Sequence, residues 1–344
     1  MRNRHTLVLI ALVALLALLI GEQVSHWRHF SWEVFRNNAR HISFPYAVAA
    51  VSMTYLGLLL RAIRWRVFLQ ATKTIPVTHL IGPTLIGFTG LALLGRMGDL
   101  IRPYMIARKE RLSLSSQLAI LSIERIFDVG SLGALVAFFL VFFPELQSLP
   151  YLENFRKGIL ILVVLAALFG SMLFAFARRG QRVSVALERT LTAVSPPLAQ
   201  RICPRLRLFS SELNIIRDLS TLCTLVALSL LTWLVAGMAL LTTIHALPGT
   251  RQITLGGSFL LVAFGVLGSL VQLPGGGTQQ LITIAALVKM FGLTAELAIS
   301  CSILGWFTIF IAPVPAGLAL LRHEGLRLGT LFRSSQQQAA VLTP

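Results

Sequence analysis

The sequence predicts an all-α protein, a polytopic transmembrane helical bundle of about eight membrane segments, some of them broken or re-entrant. Three observations carry this. The mean hydropathy is +0.79, with 56% hydrophobic and only 12% charged residues, a balance typical of membrane-embedded chains. Apolar runs recur along the whole length, separated by short polar stretches. Lys and Arg gather at the ends of those runs, so the formal net charge of +17 fits contact with anionic headgroups and orientation in a bilayer better than nucleic-acid binding.

The runs are Leu7–Ile20, Phe44–Leu60, His79–Leu94, Leu118–Phe143, Ile159–Ala177, Leu219–Leu241, Leu255–Leu273, Leu281–Phe291 and Ala298–Leu321. Each is read as helical, since a lone strand leaves its backbone groups unpaired in lipid. The first follows Arg2 and Arg4 like a signal peptide, but Gly21-Glu22-Gln23 is a poor cleavage context, so a retained span is expected. The third is short and rich in glycine (Gly82, Gly87, Gly90, Gly95), with Pro83 near its start. Between the seventh and eighth lies Gln272-Leu273-Pro274-Gly275-Gly276-Gly277-Thr278-Gln279-Gln280, a helix breaker flanked by amides. These runs form one transmembrane domain over residues 1–322, followed by a tail at 323–344. The loop 178–218 carries alternating arginines and apolar residues and is expected to form amphipathic helices at the membrane interface. Arg61, Arg64, Trp65 and Arg66 read as a snorkelling, aromatic-belt end to the second span.

Counts of Lys and Arg select the topology. Segments 61–77, 95–117, 178–218 and the tail from Arg322 hold four, five, eight and three, whereas 22–43, 144–157 and 242–253 hold three, two and one. If the third run dips in and returns, Arg2 and Arg4 join the first group and the tally is 22 against 6. The positive-inside rule then places both termini in the cytoplasm and the chain in the cell inner membrane. A plain crossing with a basic outer loop is the alternative. Leu255–Phe291, broken at Pro274, is expected to be a second re-entrant hairpin from the other face, an inverted-repeat plan common in transporters.

Charges inside apolar sequence mark the candidate site. Arg96, Asp99 and Arg102 interrupt one apolar stretch, and Glu124, Arg125 and Asp128 lie within the next. A charge at bilayer depth costs at least ~3 kcal/mol, so such groups pair, face a cavity or handle a polar cargo. Glu124 and Asp128 are four apart on one helix face, and Arg125 in cis, with Arg96 or Arg102 in trans, can neutralise them. The cluster reads equally as a buried ion-pair clamp or as a headgroup site. Gly95 and Gly98 permit a sharp reversal. The break at Pro274, Gly275, Gly276 and Gly277 would present free N–H groups, with Gln272, Gln279 and Gln280 as neutral donors. Helix packing through small residues is the plain alternative for these glycines.

Enzyme signatures are thin: no HExxH, GxSxG, GxGxxG or Walker A sequence occurs. Cys203, Cys223 and Cys301 lack metal spacing, and the histidines are scattered. No cofactor, metal or catalytic residue is therefore expected.

With these residues assembled, the chain resembles the lysylphosphatidylglycerol synthase transmembrane, or flippase-like, family. The resemblance rests on Arg61-x-x-Arg64-Trp65, Gly95-Arg96-x-Gly98-Asp99-x-x-Arg102, Glu124-Arg125-x-x-x-Asp128 and Pro274-Gly275-Gly276, and covers roughly residues 5–322. It implies likeness to the lipid-translocating half of aminoacyl-phosphatidylglycerol synthases and to proteins that accompany hopanoid or polyprenyl-glycan pathways. Family members commonly carry Arg-Glu shortly after Pro-Gly-Gly; Thr278-Gln279-Gln280 stands here instead and leaves the cargo's charge open. A soluble aminoacyltransferase domain is absent, so aminoacylation is not expected. The expected function is lipid translocation, with Arg96, Arg102 and Arg125 on a lipid phosphate and Asp99, Glu124 and Asp128 holding those arginines or an amino headgroup. Expected partners are membrane lipids: an anionic phospholipid, an aminoacyl-phospholipid, a hopanoid or a polyprenyl-linked lipid. The alternatives are a membrane-embedded transferase using Asp99 or Glu124 as general base, and a non-transporting partner of a lipid-modifying enzyme.

Overall fold

The computed structural model describes residues 31–70, 72–146, 149, 164, 218–269 and 277–324. The run Leu7–Ile20, all of Ile159–Ala177 but Val164, the loop up to residue 217, Gln272 with the Pro274–Gly276 break, and the tail beyond Glu324 lie outside them. Within the described residues the chain is helical with no strand. The elements are α1 (Trp32–Arg40), α2 (Phe44–Leu69), α3 (Val77–Leu94), a 3₁₀ segment (Gly95–Leu100), α4 (Ile101–Glu110), α5 (Leu114–Phe142), α6 (Leu219–His245), α7 (Leu255–Gly268), α8 (Gly277–Lys289), α9 (Ala295–Gly305), a π turn (Trp306–Ile311) and α10 (Val314–His323). Among the described residues, five stretches are long and apolar enough to cross a membrane: α2, α3, α5, α6 and the combined Ala295–His323.

The third apolar run folds back rather than crossing. α3, with 18 residues, rises about 27 Å. The six-residue 3₁₀ segment and ten-residue α4 together descend about the same distance. Their ends meet: Lys73 Nζ donates to Glu110 Oε2 at 2.7 Å, and His79 Nδ1 lies 3.1 Å from Glu110 Oε1. The hydrogen bond from Lys73, seconded by His79, holds the Glu110 carboxyl below the usual carboxylate range. Lys109 reaches Glu324 at 3.0 Å, so the end of the last span sits on this same face. On the opposite face, Ser43 N–H donates to the Ala246 carbonyl at 2.8 Å and Ser31 N–H to Glu296 Oε1 at 3.1 Å. Lys73, Lys109 and the end of α10 thus share one face, the one from which the first hairpin enters and to which it returns.

Two features make the reversal. Gly95 adopts φ +68°, a left-handed value that side chains disfavour. Gly98 lies so close to α3 that a Cβ there would overlap the Gly90 carbonyl. α7 and α8 form the second hairpin, from the opposite face. Gly268 meets Gln279 near its tip, and Gly257 meets Phe291 near its base.

The last span is bipartite. α9 packs on α8, whereas α10 packs on α3, with Gly317 seated against Thr89. Between them the π turn closes Ala312 N–H onto Phe307 O at 2.8 Å, an i→i−5 bond, followed by Pro313 and Pro315. Among the described residues two larger apolar cores result, with a smaller one of Ile86, Ile101, Tyr104, Met105 and Leu321 between α3, α4 and α10. Ala62, Trp65, Phe68, Ile106, Ile120 and Ile123 belong to one, around the first hairpin. Leu132, Val136, Phe139, Phe259, Phe264 and Leu287 belong to the other, around the second. Along α5 the two cores are separated by Glu124, Arg125 and Asp128.

Candidate functional site

α2, α4, α5 and α6 converge on this polar layer. Glu124 and Asp128 face α2 from successive turns of α5, and Arg64 lies between them. Its guanidinium reaches Glu124 Oε1 at 2.6 Å and Asp128 Oδ1 at 2.8 Å, and also donates to Ser229 Oγ at 2.9 Å. Arg64 and Glu124 are fully buried. Glu124 Oε2 accepts from Trp65 Nε1–H at 2.9 Å and pairs with Arg102, whose guanidinium stacks over the Trp65 ring at 4.4 Å. Asp128 Oδ1 also accepts from Trp233 Nε1–H at 3.3 Å. An ion pair this buried is sustained only when its remaining donors and acceptors are satisfied. Both Glu124 oxygens meet that condition, whereas Arg64 Nε and Asp128 Oδ2 have no hydrogen-bond partner.

The arrangement corrects one expectation and adds to another. Arg64 and Trp65 do not end a span at the interface: α2 continues to Leu69, and both are buried inside the bundle. Their neighbour Arg66 is exposed. Arg125 and Arg102 both pair with the carboxylates, but Arg64, which the sequence reading left out, shares the shortest contacts with Arg102. Arg125 lies 3.6 Å from Glu124 Oε2 and 3.5 Å from Asp128 Oδ2, and its side chain keeps 40% of its surface accessible.

A cavity of about 380 Å³ adjoins this layer and extends between the two hairpins. Arg61, Asp99, Arg125 and Asp128 line one end; Gln279 and Thr283 of α8 and Ser269 line another part; Phe88, Leu91, Leu261, Val266 and Phe310 supply apolar wall. The cavity is amphipathic, its charges coming from α2, α5 and the 3₁₀ tip. Asp128 Oδ2 has no hydrogen bond, though Arg125 and Arg61 flank it at 3.5 and 3.8 Å. Arg61 additionally sits 5.8 Å from the Trp233 ring centroid.

The predicted residues thus divide. Glu124 and Arg102 are locked into the buried pair network and do not line the cavity, whereas Asp99, Arg125, Asp128 and Gln279 do. Gly95 and Gly98 form the tip of the first hairpin and Gly277 starts α8. Gln280 borders a smaller neighbouring cavity with Gln279 and Trp306. The Arg96 backbone belongs to the 3₁₀ tip, and its side chain lies outside the described residues. Arg61, Arg64, Trp65, Ser229 and Trp233 were absent from the expected site. Arg61 and Arg64 could have been found from their i,i+3 spacing on one face inside apolar sequence. Trp233 and Ser229, single polar-capable residues in an apolar run, gave no such signal. Among the described residues, no group of three or more His, Cys, Asp or Glu side chains is gathered as metal ligands would be.

The family model of the lysylphosphatidylglycerol synthase transmembrane region matches residues 6–317. The chain belongs to this family. The match spans the hairpins, the polar layer and the cavity together, so lysylphosphatidylglycerol synthase transmembrane-region proteins provide the context for a lipid-related membrane function. No curated protein and no solved structure matches the chain.

Proposed function

We propose that this protein translocates a phosphate-bearing lipid across the bilayer, binding its headgroup at the Arg61–Arg125 end of the cavity and its chains along the apolar wall. The observation that carries the reading is the charge layout. Arg64 and Arg102 make the short contacts to Glu124 and Asp128, while Arg61 and Arg125, at longer range from Asp128 and beside Asp99, face a cavity between two opposed hairpins. Guanidinium groups suit phosphate oxygens, keep their charge at depth and can grip in a bidentate manner. Opposed hairpins around such a site are a plan for alternating access. The face carrying Lys73, Glu110 and Glu324 is assigned to the cytoplasm by its basic flanks. Single cysteines at Thr74 and Ser113 should both react only from that face in intact cells; labelling of either from outside contradicts the orientation.

The functional test is translocation of a fluorescent anionic phospholipid by purified protein in liposomes. Arg125→Lys should slow it about tenfold, since the fork geometry is lost. Arg66→Lys, at an exposed position, should leave it unchanged. Equal rates in wild type and both variants would remove Arg125 from the path.

A further inference from the structure

We infer that the π turn at Trp306–Ile311 is the hinge on which the two hairpins swing to reshape the cavity, with the Tyr55 hydroxyl as the latch of the observed arrangement; what the movement serves rests on the transport reading above. The first support is the division of the last span between two bodies. α10 is fastened to the first hairpin at three levels. Gly317 seats against Thr89 and the Leu85 carbonyl of α3, Leu321 packs with Ile86 and Ile101, and Lys109 Nζ reaches Glu324 at 3.0 Å. α9 is fastened to the second, since Ala298 and Cys301 belong to the core that holds Phe259 and Leu287. Any change in the angle between the hairpins therefore falls, within this span, on the residues between Gly305 and Val314.

The second support is the backbone at that point. Ala312 N–H closes onto Phe307 O rather than onto Thr308 O. Pro313 and Pro315 have no N–H, so the carbonyls of Ile309 and Ile311 lack the donors that a continuous α-helix would supply. π turns and prolines are the places where helices bend. Side chains of other spans hold the turn instead. The Tyr55 hydroxyl of α2 donates to the Ala312 carbonyl at 2.9 Å, and the Thr308 hydroxyl lies 3.0 Å from that of Thr243 on α6. Each is a single hydrogen bond between neutral groups, modest in net strength and so readily exchanged. The third support is where the turn points. Ile309 and Phe310 line both the main cavity and the smaller one bordered by Gln280 and Trp306. The Phe310 ring centroid lies 6.0 Å from that of Phe88 on α3, so bending at the turn parts an aromatic contact in the cavity wall.

The test is a pulsed electron-spin distance measurement on the full chain in nanodiscs. Nitroxides are placed by Arg108→Cys on the first hairpin and Lys289→Cys on the second, both exposed positions, with Cys203 and Cys223 changed to Ser. The otherwise unaltered protein should give more than one distance population. Tyr55→Phe frees the Ala312 carbonyl and should raise the minor population about threefold to tenfold, the worth of one hydrogen bond. Pro313→Ala with Pro315→Ala restores two backbone donors and favours a continuous helix. That double variant should collapse the distribution to one distance and slow translocation of a fluorescent anionic phospholipid about tenfold, as a blocked gating step does. An unchanged distribution in Tyr55→Phe, or in the folded double variant, overturns the inference; should the double variant fail to fold, Tyr55→Phe decides it alone. The expected distance changes with no lipid transport by the wild type would instead overturn the transport reading and leave the hinge standing.

Discussion

The two hairpins share a topology and differ in what holds them. The first turns at Gly95–Leu100, and α4, which follows, is tied into the bundle by Arg102 on Glu124, a carboxylate that also receives Arg64 and the Trp65 indole. The second has no described ion pair between its arms. α7 and α8 approach through Gly257, Gly265 and Gly268, against Phe291 and Gln279, within an apolar core that includes Phe259, Phe264 and Leu287. Charge beside the first hairpin makes one wall of the cavity ionic, and the second hairpin contributes only neutral polar and apolar side chains to the other. The bipartite last span touches both hairpins, with its π turn between the two contacts. π turns are frequent at functional sites.

The largest way to break the comparison is at the carboxylate shared by three donors. Glu124→Ala strands Arg64, Arg102 and the Trp65 N–H in a buried setting and should cost about 3–5 kcal/mol, as loss of one partner from a buried pair does. Thermal or denaturant unfolding in detergent measures it. A cost below about 1 kcal/mol, the level of an exposed pair, would mean that the first hairpin is not held by charge. A smaller contrast lies in the glycines. Gly98→Ala forces a methyl into the Gly90 carbonyl and should destabilise by about 1–3 kcal/mol. Gly265→Ala meets only the Gln279 side chain, at 3.2 Å, and gains about 1 kcal/mol of helix propensity, so its stability should stay near wild type. A larger loss at Gly265 than at Gly98 would reverse the account of which hairpin packs tightly against backbone.

Much of this architecture could be read from the residues. Hydropathy marked the spans, and the uneven Lys/Arg distribution marked the first hairpin as a dip, which the Lys73–Glu110 contact bears out. The Glu124–Asp128 spacing marked the polar layer. What escaped was the partner of that layer. Arg64 sits five residues before the end of α2, where an arginine on an isolated helix would be expected to snorkel. Only the packing of α2 on α5 and α6 shows that it points inward and is enclosed. The roles of Trp65 and Trp233 escaped for a related reason: an indole in apolar sequence reads as packing until its N–H finds a carboxylate. The sorting of arginines into buried and cavity-facing sets is likewise a matter of tertiary geometry, since Arg102 and Arg125 look equivalent in sequence.

That sorting is the central claim, and one paired measurement tests it. Unfolding midpoint and phosphatidylglycerol retention are determined side by side for Arg64→Gln and Arg125→Gln. Arg64→Gln removes the bridge between Glu124 and Asp128 and should lower stability by about 3–5 kcal/mol. Arg125→Gln removes a longer-range, partly accessible charge, so stability should change by less than about 1 kcal/mol while retention of the anionic lipid falls about tenfold. Equal destabilisation by the two variants, or undiminished lipid retention in Arg125→Gln, would contradict the division between arginines that hold the bundle and arginines that hold the lipid.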